Sequence, residues 1–532
     1  MSETDPSLPT LRRDTAVVTV CTLVSRISGF GRVLATAAVL GSGLLGDVYQ
    51  TANLIPNLLF ELVAGGVLQA ALVPAFVAAR RNRGVAGLTE AVRAVAGAVG
   101  VVLAGVAALG MLLSPVLARL MVASDPDALV RSEKLDVMVP MVLVFVPQLL
   151  FYGIATVTSA ALNARGRYVA AALAPAVNNS IVITACLWFR HSRHGAVADL
   201  DITVGQFMVI AGGTTLGVIA FSAVPAIALR RGGVRLWPSA GFTHPAVAAM
   251  RSAFRWATVS VVGTFVPMAA ALALGNGAPG GVAVFVYAFA FFVLPHALVA
   301  VPVATTLAPR VAEAWQDGDR DGLRRAVASG MTLVVPLLAL GGAGMVALGW
   351  PVARVAAFGQ TASQGLGPIA HAFAAFGPCL IGYGVAFVLT RVLFSIGEVR
   401  TAAVLQVWAA VAGVAVMVVL SSVLDRTDRA AALAVGYGTA QTVAAVAMAV
   451  EVHRRTGAVP AGRSVVLLGQ SVFAAVASSL VMVAIECRFD DSRRQSLVAL
   501  LLAGTVGVVV FALVMAALRP DLRGRMLGRL RS

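Results

Sequence analysis

Apolar residues run through this chain in stretches of about 20 or more, the length a helix needs to cross a hydrocarbon core. Short polar or basic segments separate them. The runs fall at 15–40, 48–79, 94–122, 136–162, 168–189, 203–229, 254–275, 280–309, 327–349, 368–394, 401–423, 430–450, 465–486 and 496–518. They predict an all-α polytopic membrane protein of about 14 transmembrane helices. The polar start, Met1 to Asp14, lacks a cleavage pattern, so the first run is expected to stay as a helix.

Charge sorts the connections into two kinds. Arg80, Arg81 and Arg83; Arg165 and Arg167; Arg230, Arg231 and Arg235; Arg320, Arg324 and Arg325; Arg391 and Arg400; Arg454, Arg455 and Arg463; and the tail from Arg519 to Arg531 fall in alternate loops. The opposite loops carry more acid, at Asp125, Asp127 and Glu133, Asp199 and Asp201, Asp425 and Asp428, and Asp490 and Asp491. Basic residues stay on the cytoplasmic side, so both termini are predicted to be cytoplasmic.

Composition narrows the class. With 59% hydrophobic and 12% charged residues and a mean hydropathy of +0.90, a soluble fold could not hide the apolar surface. The net charge of +16 is scattered between apolar runs and forms no basic face, so no nucleic-acid partner is expected. Cys21, Cys186, Cys379 and Cys487 show no metal spacing, and no metal or cofactor is predicted. There is no phosphate-cradling loop or kinase signature, and no carboxylate pair suited to hydrolysis, which points to a transporter and away from an enzyme.

Two stretches resemble each other. Val48-Tyr49, Ile55-Pro56 and Val73-Pro74 are echoed six predicted helices later by Val286-Tyr287, Leu294-Pro295 and Ala308-Pro309. A glycine-rich turn precedes each, Gly41 to Gly46 and Gly275 to Gly281. The order suggests two parallel six-helix lobes around a central cavity, at 1–235 and 236–460, with two further helices and a basic tail at 461–532.

The first run holds the chemistry. Arg26 and Arg32 lie in apolar sequence, and an arginine at mid-membrane costs several kcal/mol unless it faces water or the bundle interior. Gly29 and Gly31 between them predict a helix break beside a wet, cationic chamber fit for an anion. The competing reading is that both arginines snorkel to an interface. Glu61, one turn after Pro56, is a candidate partner of either arginine, and Asn57 and Gln69 are candidates for the same cleft. Asn178 and Asn179 read better as interhelical glue. His296 and His371 are weaker candidates for proton relay, and Arg310 and Arg391 sit at helix ends where snorkelling or gating would explain them.

Ser25-Arg26, Gly29-Phe30-Gly31-Arg32, Gly46-Asp47, Ile55-Pro56-Asn57-Leu58-Leu59, Gly65-Gly66 and Gln69-Ala70-Ala71-Leu72-Val73-Pro74 closely resemble the MviN/MurJ lipid II flippases, of the multidrug/oligosaccharidyl-lipid/polysaccharide exporter superfamily. Weaker matches follow at Leu162-Asn163-Ala164-Arg165, Leu307-Ala308-Pro309 and the run Leu389 to Thr401. The resemblance implies a two-lobed bacterial plasma-membrane protein. Its substrate would be a peptidoglycan precursor linked to undecaprenyl diphosphate, moved from inner to outer leaflet. Cell-wall synthesis or division proteins are candidate partners. By the same resemblance Arg26 and Arg32 would grip the diphosphate and Asp47 would match the family's acidic position; from the residues themselves, Asn57 and Glu61 are expected in the substrate site and Arg391 as a gating or charge partner.

Two family cations are missing. Phe60-Glu61 stands where arginine is common, and Tyr287-Ala288-Phe289-Ala290 stands where an acid–arginine run is typical. Acids for a sodium site are also lacking in the seventh and eleventh helices. Three alternatives therefore stay open: an exporter of another polyprenyl-linked glycan, a drug/cation antiporter, and a non-transporting cell-wall scaffold. The antiporter would need an intramembrane acid without neighbouring arginines, whereas a scaffold would tolerate loss of Arg26 and Arg32.

Overall fold

The computed structural model describes residues 8–64, 67–194, 196–239, 241–356, 359–363 and 365–519, and all of its regular structure is helical. Gly65, Gly66, the side chain of Gln69 and the tail beyond Arg519 lie outside the described residues. The chain forms two compact units, Met1–Val261 and Val262–Ser532.

The first unit holds α1 (Leu8–Leu40), α2 (Leu44–Ala64), α3 (Val67–Leu112), α4 (Ser114–Val122), α5 (Ala128–Phe145), α6 (Gln148–Asn163), α7 (Val169–Ser192), α8 (Val204–Phe207) and α9 (Gly213–Arg231). A π-helical turn, Met208–Gly212, joins the last two. α3 is two helices in succession, since Arg83 and Gly84 (φ 59°) leave helical geometry between them. α1 packs on α7, α3 on α6, and α9 on both α6 and α7.

α10 (Pro245–Gly275) crosses into the second unit, which continues with α11 (Gly281–Gln316), α12 (Arg320–Ala347), α13 (Gly349–Ala356), α14 (Gln360–Ser363), α15 (Gly367–Phe376) and α16 (Cys379–Ser395). α17 (Val399–Val423), α18 (Arg429–Thr456), α19 (Ala461–Glu486) and α20 (Arg493–Leu518) complete it. α17 and α18 approach so closely at Gly413 and Gly436 that a Cβ on Gly436 would lie 2.9 Å from the Gly413 carbonyl oxygen. Small residues allow such contact where no hydrophobic effect drives helices together. Gly436→Leu is therefore expected to cost about 1–3 kcal/mol, read as a lower melting temperature of the solubilised protein.

Eleven helices among the described residues are long and apolar enough to cross a membrane, or 12 with α15 and α16 joined as one span bent by 45°. The predicted fourteen are not all reached. α2 falls short because Asp47, Gln50, Asn53, Asn57 and Glu61 make it too polar, and the seventh run is represented only by Val259–Gly275.

Breaks recur at matched places. Pro147 separates α5 from α6 in the fourth predicted run, and Pro378 separates α15 from α16 in the tenth. Left-handed glycines sit in corresponding connections: Gly41 and Gly280, Gly84 and Gly318, Gly166 and Gly397, Gly233 and Gly457. Side chains avoid that conformation, so the same turn is built twice from the same residue type.

The last two helices are fastened to the second unit. Ser479 Oγ donates to the Ala343 carbonyl of α12 at 3.1 Å. Arg354 of α13 pairs with Glu486 at 3.1 Å and with Asp491 at 2.5 Å.

Candidate functional site

The polar residues that disqualify α2 as a simple span lie on one face, at positions 47, 50, 53, 57 and 61. Asp47 is fully buried in the first turn, where a negative charge suits the helix dipole, and Gln50 and Asn53 are nearly as buried. Polar groups among apolar helices need partners. Asn57 Nδ2 donates to the Asn53 carbonyl at 2.8 Å, and its side chain lies near the Tyr152 hydroxyl of α6. Tyr152 donates onward to Gln148 Oε1 at 3.3 Å, and Gln148 Nε2 to Thr215 Oγ1 of α9 at 2.8 Å. Beside them the Tyr49 hydroxyl meets Thr214 Oγ1 at 2.9 Å. A connected polar interior thus runs through α2, α6 and α9.

Arg32 borders this network. It is half-buried on α1, within electrostatic reach of the Tyr49 and Tyr152 hydroxyls and the Cys186 thiol. Arg26 lies six residues earlier, about 9 Å along the axis and about 120° round it, and is exposed. Neither arginine forms an ion pair among the described residues. Glu61 is half-buried on the same face of α2, and no ion pair joins it to Arg26 or Arg32 among the described residues.

The expected break in the first helix is also absent. α1 continues through Gly29 and Gly31, both of which face α7. A Cβ on Gly29 would touch Asn179 Nδ2 at 3.4 Å, and one on Gly31 would meet Ile183 at 3.8 Å. Asn179 Nδ2 donates to Ser28 Oγ at 3.1 Å, the interhelical bond expected of it.

In the second unit Arg391 is exposed near the end of α16, its guanidinium 5.3 Å from the Phe387 ring centre. Where a charged pair is typical of the resembled family, Phe289 packs 5.2 Å from Tyr437 and 5.9 Å from Phe376. His296 is buried against Tyr383 and Phe387, and His371 bonds Asp428 at 2.7 Å. The described residues hold no cluster of three or more histidines, cysteines or acids placed for a metal.

Sequence reasoning did not single out Tyr152, Gln148, Thr214 or Thr215. A signal for Gln148 was present, since an amide directly after Pro147 sits where a broken helix exposes backbone and needs polar company.

Residues 36–503 match the family described as lipid II flippase MurJ. The chain belongs to that family. A probable lipid II flippase MurJ of Rhizobium meliloti (strain 1021) is 25% identical over 81% of this chain and 77% of its own length. That of Rhizobium tropici is 27% identical over 56% of this chain, and the alignment spans about half of that relative, 54%. A solved lipid II flippase MurJ in an inward closed conformation shares the fold, with a TM-score of 0.72 at 17% identity over 95% of this chain and 99% of its own. Membership in the MurJ family, with the many apolar helices, makes this a multi-pass protein of the bacterial inner membrane. The matched segment begins after Arg26 and Arg32, whose roles are argued from this chain's own geometry.

Proposed function

We propose that the chain is a flippase carrying lipid II, the peptidoglycan precursor on undecaprenyl diphosphate, from the inner to the outer leaflet by alternating access of its two lobes. The supporting observation is Arg32, a half-buried cation with no carboxylate partner beside the polar interior of α2, α6 and α9. An unpaired guanidinium in a membrane helix is costly, and a diphosphate offers the bidentate oxygens that offset that cost. On this reading Arg32 holds the diphosphate and Arg26 meets it on the exposed side of α1. Asn57 and Glu61 bound the site, and Asp47 and Arg391 adjust charge as the lobes exchange states. Both termini face the cytoplasm, and the chemistry is movement without bond breaking.

A second reading, export of another polyprenyl-linked glycan, draws on Phe289 and the aromatic ring cluster where family cations are typical. One experiment separates them: a bacterium depleted of its own lipid II flippase is given this chain or the Arg26→Ala/Arg32→Ala variant. Growth with the wild type and lysis with an equally abundant variant is the expected result. Rescue by both would remove the arginines from the mechanism, and rescue by neither would favour the other glycan.

A further inference from the structure

Three basic connections of the first unit meet at one end of it. Arg80, just before the break in α3, donates through Nη1 to the Ala164 carbonyl at 3.1 Å. Arg165, in the turn after α6, donates through Nη1 to the Gly232 carbonyl at 2.8 Å, just past α9. A Cβ on Gly232 would lie 2.5 Å from that same Nη1, so glycine leaves room for the guanidinium tip against this turn. These bonds fix two guanidiniums by one nitrogen each and leave their other donors uncommitted.

Arg165 is also within electrostatic reach of Arg80 and Arg167. Among the described residues no carboxylate pairs with any of the three, although Arg83 nearby has Glu90 at 2.7 Å. Partial burial, with the two neighbouring cations, pushes the Arg165 guanidinium below its ordinary value. The second unit, by itself, handles its loop arginines differently. Arg320 and Arg324 likewise donate to the Arg455 and Thr456 carbonyls, at 3.1 Å each, but Arg455 carries its own acids, Glu451 at 2.5 Å and Glu398. Arg455 is neutralised by its neighbours, whereas Arg80, Arg165 and Arg167 have no acid partner among the described residues.

The uncompensated rim lies where helices leave the membrane. Tyr168, beside Arg167, is exposed, a residue type that settles at headgroup depth, and Val169 and Leu173 expose apolar surface at the start of α7 and one turn along it. Fixed guanidinium donors above an apolar helix face match a phosphate with hydrocarbon attached, and match a free anion less well.

We infer that Arg80, Arg165 and Arg167 form a binding site for the phosphate of an anionic bilayer phospholipid, held at the loop end of the first unit and separate from the Arg32 site. The lipid supplies the negative charge that this rim lacks and ties the three loops together.

The test is lipid binding by the purified full chain in detergent, read by native mass spectrometry with phosphatidylglycerol, with phosphatidylethanolamine, and with inorganic phosphate as competitor. The wild type is expected to retain phosphatidylglycerol several-fold better than phosphatidylethanolamine. Arg167→Gln, which removes no hydrogen bond of the fold, should reduce that retention at least about threefold, with Arg165→Gln reducing it further. Arg454→Gln, on the compensated rim, should leave it unchanged. Equal retention by wild type and Arg167→Gln would overturn the assignment. Displacement of the lipid by millimolar phosphate, without preference between the two phospholipids, would also overturn it by making the ligand a free anion.

Discussion

Arg32→Ala is expected to lower lipid II transport by roughly 100-fold or more, with the protein still inserted and folded. A charged group removed from a desolvated pair with phosphate forfeits about 2–5 kcal/mol. Arg32 has no carboxylate partner that its loss would leave stranded. Arg32→Lys should fall between, roughly tenfold down, because lysine keeps the charge but loses the planar bidentate fork. Arg26→Ala should cost less than Arg32→Ala, since Arg26 is exposed and meets no part of the α2 network. Transport of labelled lipid II in proteoliposomes, normalised to reconstituted protein, checks the order. A flat series would mean that α1 supplies no ligand.

The largest effect on stability is expected away from that site. Lys134, the chain's single lysine, is completely buried and pairs with Asp125 at 2.7 Å. Its compact ammonium fits where a guanidinium would need a wider space. Lys134→Ala leaves the Asp125 carboxylate buried without its countercharge, and is expected to destabilise the protein by about 3–5 kcal/mol. Lys134→Met combined with Asp125→Leu should recover most of that loss, because removing both charges also removes their desolvation cost. Thermal melting in detergent reads both variants. A double variant as unstable as the single one would show that packing, and not the stranded charge, sets the cost.

Fold class was legible because membrane helices are written in length and hydrophobicity, and the basic loops mark their ends. The exceptions have physical causes. α2 belongs to the bundle but reads as too polar, since its stripe of amides and acids is covered only by packing on elements distant in sequence. The interruptions at Pro147 and Pro378 were hidden inside long apolar runs, because proline is tolerated in such helices when neighbours satisfy the freed backbone.

The site was half legible. Two arginines in apolar sequence announce themselves, whereas Thr214, Thr215 and Tyr152 are ordinary residues that become polar lining only through the packing of α9 and α6 on their neighbours. Gly29 and Gly31 misled for a related reason. Glycine weakens an isolated helix, yet packing along α7 accompanies an α1 that stays continuous.

In the proposed mechanism lipid II crosses the membrane by way of Arg32. The most direct measurement is the amount of lipid II exposed on the outer leaflet of spheroplasts depleted of their own flippase and carrying this chain. Exposure is expected to be restored by the wild type and absent with Arg32→Ala at equal abundance. Equal exposure with both proteins would contradict it.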